Sequence, residues 1–184
     1  HSFPTRRSSD LAYANIEAGN EDYRMVEGAL NLPVGETGGL RLATRLKTRG
    51  GSVENLLGGE DYNAIETKAV RLSGAWAPSD AMRFDVIGNY QNDHASGTSF
   101  KSIAYEPADP NTGAVLGGKE PWEGAALTPG GDFDGGKTLG LSREVWGVTG
   151  LARINLNSAW TLNSTTAYRE FDNYETFDAD GVSL

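Results

Sequence analysis

The fold is decided by the stretch Leu40-Arg41-Leu42-Ala43-Thr44-Arg45-Leu46-Lys47-Thr48-Arg49. Its even-numbered positions carry leucine or threonine, and its odd-numbered positions carry alanine or a cation. Successive side chains of a β-strand point to opposite faces of a sheet. The stretch therefore predicts a strand with one apolar face and one cationic face. Four long cations in a row are easier to place in a water-filled, counter-charged interior, with the leucines facing lipid.

The same alternation recurs along the chain and predicts seven strands. They are Ala12–Gly19, Tyr23–Leu32, Leu40 to about Val53, Lys68–Ala77, Met82–Gln91, Val145–Leu156 and Trp160–Glu175. A helical period does not persist beyond two turns anywhere in the sequence. We therefore predict an all-β fold, an antiparallel up-and-down meander that forms an open part of a transmembrane β-barrel.

The connections between the predicted strands alternate in length. Pro33–Gly39, Pro78–Ala81 and Asn157–Ala159 are short turns at every second connection. A polar loop at 54–67 and a very long, acidic loop at 92–144 lie among the others. Outer-membrane barrels have short periplasmic turns and long extracellular loops, so we expect the loop at 92–144 to be extracellular.

The alternation also predicts which side of the sheet each residue faces. We expect the convex, lipid-facing side to carry Val70, Leu72, Trp76, Phe84, Val86, Val148 and Ile154. We expect the concave side to carry Arg41, Arg45, Arg71, Arg83 and Arg153. Trp76 and Trp160 lie beside short turns, whereas Tyr90, Trp146 and Tyr168 lie toward the long loops. These aromatic residues would form the two girdles of an outer-membrane barrel.

Composition narrows the possible functions. The chain has 16 basic and 25 acidic residues, for a net charge of −9. Such an acidic balance argues against nucleic acid as a partner, because phosphate binding needs a basic surface. Only 38% of the residues are hydrophobic, and no run approaches the ~20 apolar residues of a membrane helix. Cysteine is absent, which excludes disulfides and thiolate metal sites.

The first eleven residues, His1–Leu11, resemble the in-frame translation of a sequencing-library adapter, as found in conceptual translations of metagenomic reads. They contain neither the apolar run of a signal peptide nor a start methionine. We expect residues 1–11 not to be native and residues 12–184 to be a partial outer-membrane β-barrel. The alternative interpretation is an ordinary polar tail.

Several short stretches, taken in order, resemble the first barrel hairpins of TonB-dependent outer-membrane receptors. They are Gly19–Tyr23, Glu27–Pro33, Leu40–Ala43, Gly50–Leu56, Arg71–Pro78 and Phe177–Gly181. In that family a Leu-Asn-x-Pro turn, here Leu30–Pro33, and an Arg-rich strand commonly follow the plug domain. Ser52-Val53 departs from the usual Gly-Tyr that ends this strand. The resemblance extends from about Ala12 to the end of the sequence.

The resemblance implies a location and an activity. The family forms plugged barrels of about 22 strands in the outer membrane of Gram-negative bacteria, so seven strands would be the N-terminal part of the barrel domain. It implies active uptake of a scarce solute: a ferric siderophore, another metal chelate or a glycan. The implied partners are outer-membrane lipid, the solute, and the plug domain and TonB, which would contact parts of the receptor outside this sequence.

Other patterns suggest sites but lack the required context. Gly131–Thr138 matches a P-loop, yet no strand precedes it, no helix follows it, and its aspartates would repel phosphate. Asp178–Gly181 and Asp132–Gly135 resemble calcium loops but lack the bidentate glutamate. His94 is the only histidine outside the first eleven residues, so neither a catalytic constellation nor a metal site is predicted. We expect a protein that is not an enzyme and has no cofactor.

The row Arg41, Arg45, Lys47 and Arg49 is the predicted feature nearest to function. It could face the lumen and attract an anionic solute, or it could pair with carboxylates of the plug or of a neighbouring strand. We favour the structural role.

Two other functions remain open: a small structural outer-membrane barrel or adhesin, and a soluble β-sandwich binding domain. Complete bacterial barrels have an even number of strands, so seven strands favour the receptor over the small barrel. A stop codon directly after Leu184 would contradict the receptor interpretation.

Overall fold

The computed structural model describes residues 12–55, 60–97, 125–126 and 139–176. Within these ranges the strands are β1 (Ala12–Ala18), β2 (Arg24–Val34), β3 (Gly38–Arg49), β4 (Glu54–Asn55), β5 (Ile65–Ser79), β6 (Met82–Ser96), β7 (Ala125–Ala126), β8 (Gly140–Asn155) and β9 (Thr161–Thr176). Seven strands form one sheet in the order β1-β2-β3-β5-β6-β8-β9, and each is antiparallel to its neighbours. The short β4 and β7 pair with each other in parallel. The predicted all-β, antiparallel up-and-down meander is confirmed.

One register rule holds across the seven-stranded sheet and separates its two faces. Even-numbered residues pair with even-numbered residues on every neighbouring strand, as in Leu30 with Leu42 and Leu42 with Leu72. The exception is a bulge between Trp76 and Ser79. Side chains alternate along a strand, so all even-numbered strand residues share one face and all odd-numbered ones the other. We call these the apolar face and the cationic face.

The apolar face is exposed in the part of the chain that the structure describes. Large hydrophobic side chains remain roughly half accessible along its middle: Leu72 is 54% exposed, Val86 55% and Trp76 56%. Among the described residues, the seven-stranded sheet is the only element large enough to form a layer, and nothing packs over this face. The structure therefore does not bury these side chains between two sheets, as a β-sandwich would.

The sheet curves around its cationic face. The buried residues within its strands are all odd-numbered: Met25, Ala29, Asp93 and Gly147. A trough of about 690 Å³ is lined by residues from β1, such as Tyr13, through to β9. In a flat sheet these two edge strands would lie about 29 Å apart. The apolar set and the arginine set predicted from the sequence thus lie on opposite faces, with the arginines on the concave side.

Several strand ends differ from the prediction. β6 continues to Ser96 and β8 begins at Gly140, so residues 97–139, rather than the predicted 92–144, separate these strands. β5 begins at Ile65 instead of Lys68. In these extensions the even-numbered face carries polar residues such as Glu66, His94 and Ser142, so the alternation from which the strands were predicted does not continue. β3 ends at Arg49 and does not reach Val53.

A small cluster around Tyr62 explains the end of β3. Tyr62 is 3% exposed, packs with Leu139 and Val53, and forms an isolated antiparallel bridge with Val53. Beyond Arg49, the backbone N–H of Gly50 donates to the carbonyl of Glu21 at 2.7 Å. Residues 60–64 lie beside the end of β6, where the backbone N–H of Asn63 donates to the carbonyl of Ser96 at 2.8 Å.

The opposite end of the sheet carries the short turns. β2 continues to Val34 and β3 begins at Gly38, so the turn between them is tighter than the predicted Pro33–Gly39. After β8, the side-chain oxygen of Asn157 accepts hydrogen bonds from the backbone N–H groups of Ala159 and Trp160, each at 2.9 Å. Such side-chain capping stabilises a tight turn between antiparallel strands.

Candidate functional site

The cationic face is positively charged although the chain as a whole is acidic. Among the described strand residues this face carries nine cations and five carboxylates. The cations are Arg41, Arg45, Lys47, Arg49, Arg71, Arg83, Arg143, Arg153 and Arg169. The carboxylates are Glu17, Glu27, Asp85, Asp93 and Glu175. The net charge of −9 is therefore carried elsewhere in the chain.

Arg45 is neutralised by a carboxylate on the neighbouring strand. It lies directly opposite Glu27 in the β2–β3 register. Its Nε and Nη2 atoms donate to Glu27 Oε2 at 2.9 and 2.7 Å. More than half of the Arg45 side chain is exposed, so the pair fixes its orientation but contributes at most about 1 kcal/mol to stability.

Arg41 and Lys47 have neutral partners. Arg41 Nη1 donates to Asn31 Oδ1 at 2.9 Å, and its guanidinium lies 5.9 Å from the ring centre of Tyr13. The ammonium of Lys47 lies 5.8 Å from the ring centre of Tyr23. An aromatic ring attracts a cation without cancelling its charge. Both side chains thus keep their positive charge available to the concave side.

Arg49 holds the connection that follows β3. Its Nη2 donates to the backbone carbonyl of Asn63 at 2.9 Å, and its Nε lies 3.8 Å from Glu21 Oε2. That Nε atom is buried and makes no hydrogen bond. Every member of the predicted row therefore contacts a neighbouring segment. A role of the row in binding a solute stays a prediction.

Asp93 is a carboxylate at the centre of a hydrogen-bond cluster. Only 9% of the residue is exposed. Arg143 donates to it through Nε at 3.1 Å and Nη2 at 2.7 Å, and Gln91 and Thr67 donate at 2.8 to 3.0 Å. Burial by itself raises the pKa of Asp93, but these hydrogen bonds outweigh burial and hold the pKa below its ordinary value.

Arg71 and Arg169 line the trough without a carboxylate partner among the described residues. Arg71 Nε donates to Asn89 Oδ1 at 2.6 Å, and the amide oxygen leaves the guanidinium charge in place. Arg169 lies on β9 at the far wall of the same trough. It forms neither an ion pair nor a side-chain hydrogen bond with the residues that the structure describes. Gly147, paired directly with Arg169, lies on the floor between them.

The sequence analysis found some of these residues and missed others. It placed Arg71 on the concave side but did not single out Arg169, although Arg169 occupies an odd position in the predicted seventh strand. Arg143 and Asp93 were missed because both were assigned to the long loop. The sequence signal for them is a pair of opposite charges: Asp93 lies just after the predicted end of one strand, and Arg143 lies just before the predicted start of the next.

Only some of the remaining sequence patterns fall on residues that the structure describes. His94 lies on the even-numbered face near the loop end of β6, opposite Glu66, whose pKa is lowered by a hydrogen bond from Lys68. Within the described residues no group of histidine and carboxylate side chains could hold a metal ion. The P-loop-like stretch at 131–138 and the calcium-loop-like stretches at 132–135 and 178–181 lie outside the described residues.

Two groups of aromatic side chains border the apolar face. Near the loop ends, Trp146 lies opposite Tyr90 in the register, and its ring centre is 5.3 Å from that of Tyr168. Near the short turns, Trp76 lies opposite Phe84 with ring centres 5.9 Å apart. Aliphatic side chains occupy the band between these two groups.

Comparison with known protein families, with curated proteins and with solved structures finds no match to this chain. No helix in the described part of the chain is long and apolar enough to cross a membrane. The functional argument therefore depends on the residues themselves, above all on the contrast between the two faces of the sheet.

Proposed function

We propose that the seven-stranded sheet is part of the wall of an outer-membrane β-barrel, and that the protein is a TonB-dependent receptor. Its activity would be the active uptake of a scarce solute such as a ferric siderophore, another metal chelate or a glycan. The observation that carries the proposal is the exposed apolar face on the convex side of a sheet whose concave side is polar and cationic. A barrel wall between lipid and an aqueous lumen needs this arrangement.

The dimensions of the apolar face support a membrane location. Along the strands, the span from Phe84 to Tyr90 on β6 is about 20 Å and the span from Trp160 to Tyr168 is about 27 Å. The tilt of about 35–45° in barrel strands reduces these spans to heights of about 16 and 21 Å. The apolar band of outer-membrane barrels is about 25 Å tall and is flanked by aromatic girdles. Tyr90, Trp146 and Tyr168 would form the outer girdle, and Trp76 and Trp160 the inner one.

Two of the receptor-like sequence stretches support the finer assignment, because they fall at the ends of hairpins. Gly19–Tyr23 is the turn between β1 and β2, and Leu30–Pro33 leads into the turn between β2 and β3. The partners of the receptor would be outer-membrane lipid, the solute, the plug domain and TonB.

A pair of substitutions on adjacent residues tests the membrane location. Val148 lies on the apolar face and Thr149 on the cationic face, at the same height on β8. If the apolar face contacts lipid, Val148→Arg should destabilise the inserted state by about 2–4 kcal/mol, whereas Thr149→Arg should have little effect. The measurement is the fraction of chain that inserts into liposomes and becomes protected from protease. Equal insertion of both variants would contradict the proposal, and an unmodified chain that is soluble and protease-resistant without liposomes or detergent would favour a β-sandwich.

The receptor assignment has its own test in the genome. Genomic DNA on both sides of the region encoding residues 12–184 should encode a plug domain upstream and further alternating strands downstream. A stop codon directly after Leu184 would contradict the receptor and favour a small structural barrel or adhesin.

A further inference from the structure

We infer that the trough on the cationic face binds a small solute bearing two or more carboxylate or phosphate groups, with Arg71 and Arg169 as its anchors. This inference deepens the proposed function by naming the charge class of the solute. Its role in uptake rests on the proposed function, whereas the binding site itself rests only on the geometry of the sheet.

The guanidinium groups around the trough differ in whether a carboxylate neutralises them. Arg45 and Arg143 also line it, but each donates two hydrogen bonds to a carboxylate, Glu27 or Asp93. Arg71 is held by a neutral amide oxygen, and Arg169 has no carboxylate partner within the described strands. The attraction for an anion is therefore concentrated at Arg71 and Arg169.

A further argument is the floor between these two arginines. Arg71 pairs with Asn89, Asn89 with Gly147, and Gly147 with Arg169, so all four share one row across the sheet. Gly147 places no side chain between the two arginines, and a Cβ there would lie 2.8 Å from the carbonyl oxygen of Tyr168. The oxygen of Asn89 accepts from Arg71, so its NH₂ group is a further donor on this floor.

The size and shape of the trough favour a small solute over a protein surface. Its volume of about 690 Å³ is within the 300–1,000 Å³ that is typical of small-molecule sites. Its cations lie on the concave side and extend from Arg45 on β3 to Arg169 on the edge strand β9. A planar guanidinium on each wall can donate two parallel hydrogen bonds to an oxyanion, so a solute with two such groups would span the trough.

Citrate is a suitable probe, and the full chain refolded in a non-ionic detergent is the sample. We expect saturable citrate binding by calorimetry at low ionic strength, weakened when salt is raised from about 0.05 to about 0.5 M. Replacing both anchors, as Arg71→Gln with Arg169→Gln, should weaken binding about 100-fold, because each charge-assisted contact accounts for roughly ten-fold. The paired Arg→Lys variant keeps both charges but loses the bidentate geometry and should show an intermediate loss.

Arg83→Gln is the matched control, because Arg83 is paired with Asp85 and does not line the trough. It should bind citrate as the unmodified chain does, with the same far-UV circular dichroism as the other variants. Absence of saturable binding by the unmodified chain, or unchanged affinity in the paired Arg→Gln variant, would overturn the inference. Binding of a poly-glutamate peptide without binding of citrate would also overturn it and indicate an acidic protein segment as the occupant.

The two proposals can fail independently. Citrate binding together with failed liposome insertion would contradict the membrane location and leave the anion site standing. Insertion without citrate binding would contradict the site and leave the barrel wall standing.

Discussion

At the scale of single residues, the partner of a charge decides how the protein responds to pH. The pKa of Asp93 lies below its ordinary value because hydrogen bonds from Arg143, Gln91 and Thr67 outweigh the effect of burial. A carboxylate whose pKa is lower in the folded state contributes stability above its unfolded pKa, about 3.9, and this contribution is lost as the pH falls through the folded pKa. Asp93 therefore stabilises the sheet at neutral pH and ceases to do so in acid.

We expect Asp93→Asn to lower the free energy of unfolding by about 1.5–3 kcal/mol at pH 7, because Arg143 loses its charged partner. The difference from the unmodified chain should shrink as the pH falls below the unfolded pKa of about 3.9 toward the lowered pKa of folded Asp93. Urea titrations in detergent at pH 7 and pH 3 measure both values. Asp172→Asn is the control, because Asp172 makes no ion pair or side-chain hydrogen bond among the described residues. An Asp93→Asn effect that is constant with pH would contradict the assignment.

Two glycines with positive φ angles allow the stability cost of backbone strain to be measured separately from the cost of a steric clash. Gly35 has a φ of 62° and open space around it, whereas Gly97 has a φ of 44° and a Cβ there would clash with the ring of Tyr62 at Cδ1. Gly35→Ala should cost about 1–2 kcal/mol from strain alone. Gly97→Ala should cost about 1–3 kcal/mol more, because buried Tyr62 must move. Urea unfolding of both variants measures this, and equal losses would show that Tyr62 does not pack against Gly97.

At the scale of elements, stability should fall from the middle of the sheet to its edges. Among the described strands β1 pairs only with β2, and it presents small residues such as Ala14 and Ala18, while β9 carries Ser164 and Thr166 on the apolar face. β5 has paired neighbours on both sides along its length. In hydrogen exchange in detergent, the hydrogen-bonded amides of β1 should exchange well before those of β5. Equal protection of the two strands would indicate that β1 has a further partner in solution.

The centres of the strands could be predicted from the sequence, and several of their ends could not. Between Leu40 and Arg49 each step along the chain changes between an apolar and a cationic side chain, and the structure follows that alternation. Beyond Tyr90, β6 continues through Asn92 and His94, where both faces are polar and the period-two signal disappears. Strand pairing there is held by contacts such as Arg143 with Asp93, which join residues far apart in the sequence.

The candidate site shows the same limit. Alternation alone places Arg71 on the concave side, since it identifies the face of every residue in a recognised strand. It does not reveal that Arg45 meets Glu27 while Arg71 meets Asn89, because that depends on the register between strands. The register therefore decides which cations remain free to bind an anion.

At the scale of the whole molecule, the described sheet has two features that are unfavourable in water. Its convex face exposes a continuous band of leucine, valine and tryptophan side chains, and β1 and β9 each have one edge without a strand partner among the described residues. Exposed apolar patches and unpaired edges both drive association between chains. In detergent-free buffer the chain should therefore form large assemblies, whereas non-ionic micelles should cover the apolar band and keep it dispersed. Size-exclusion chromatography with light scattering measures the difference, and a monodisperse, detergent-free monomer with a cooperative thermal transition would contradict the barrel wall and favour a soluble domain.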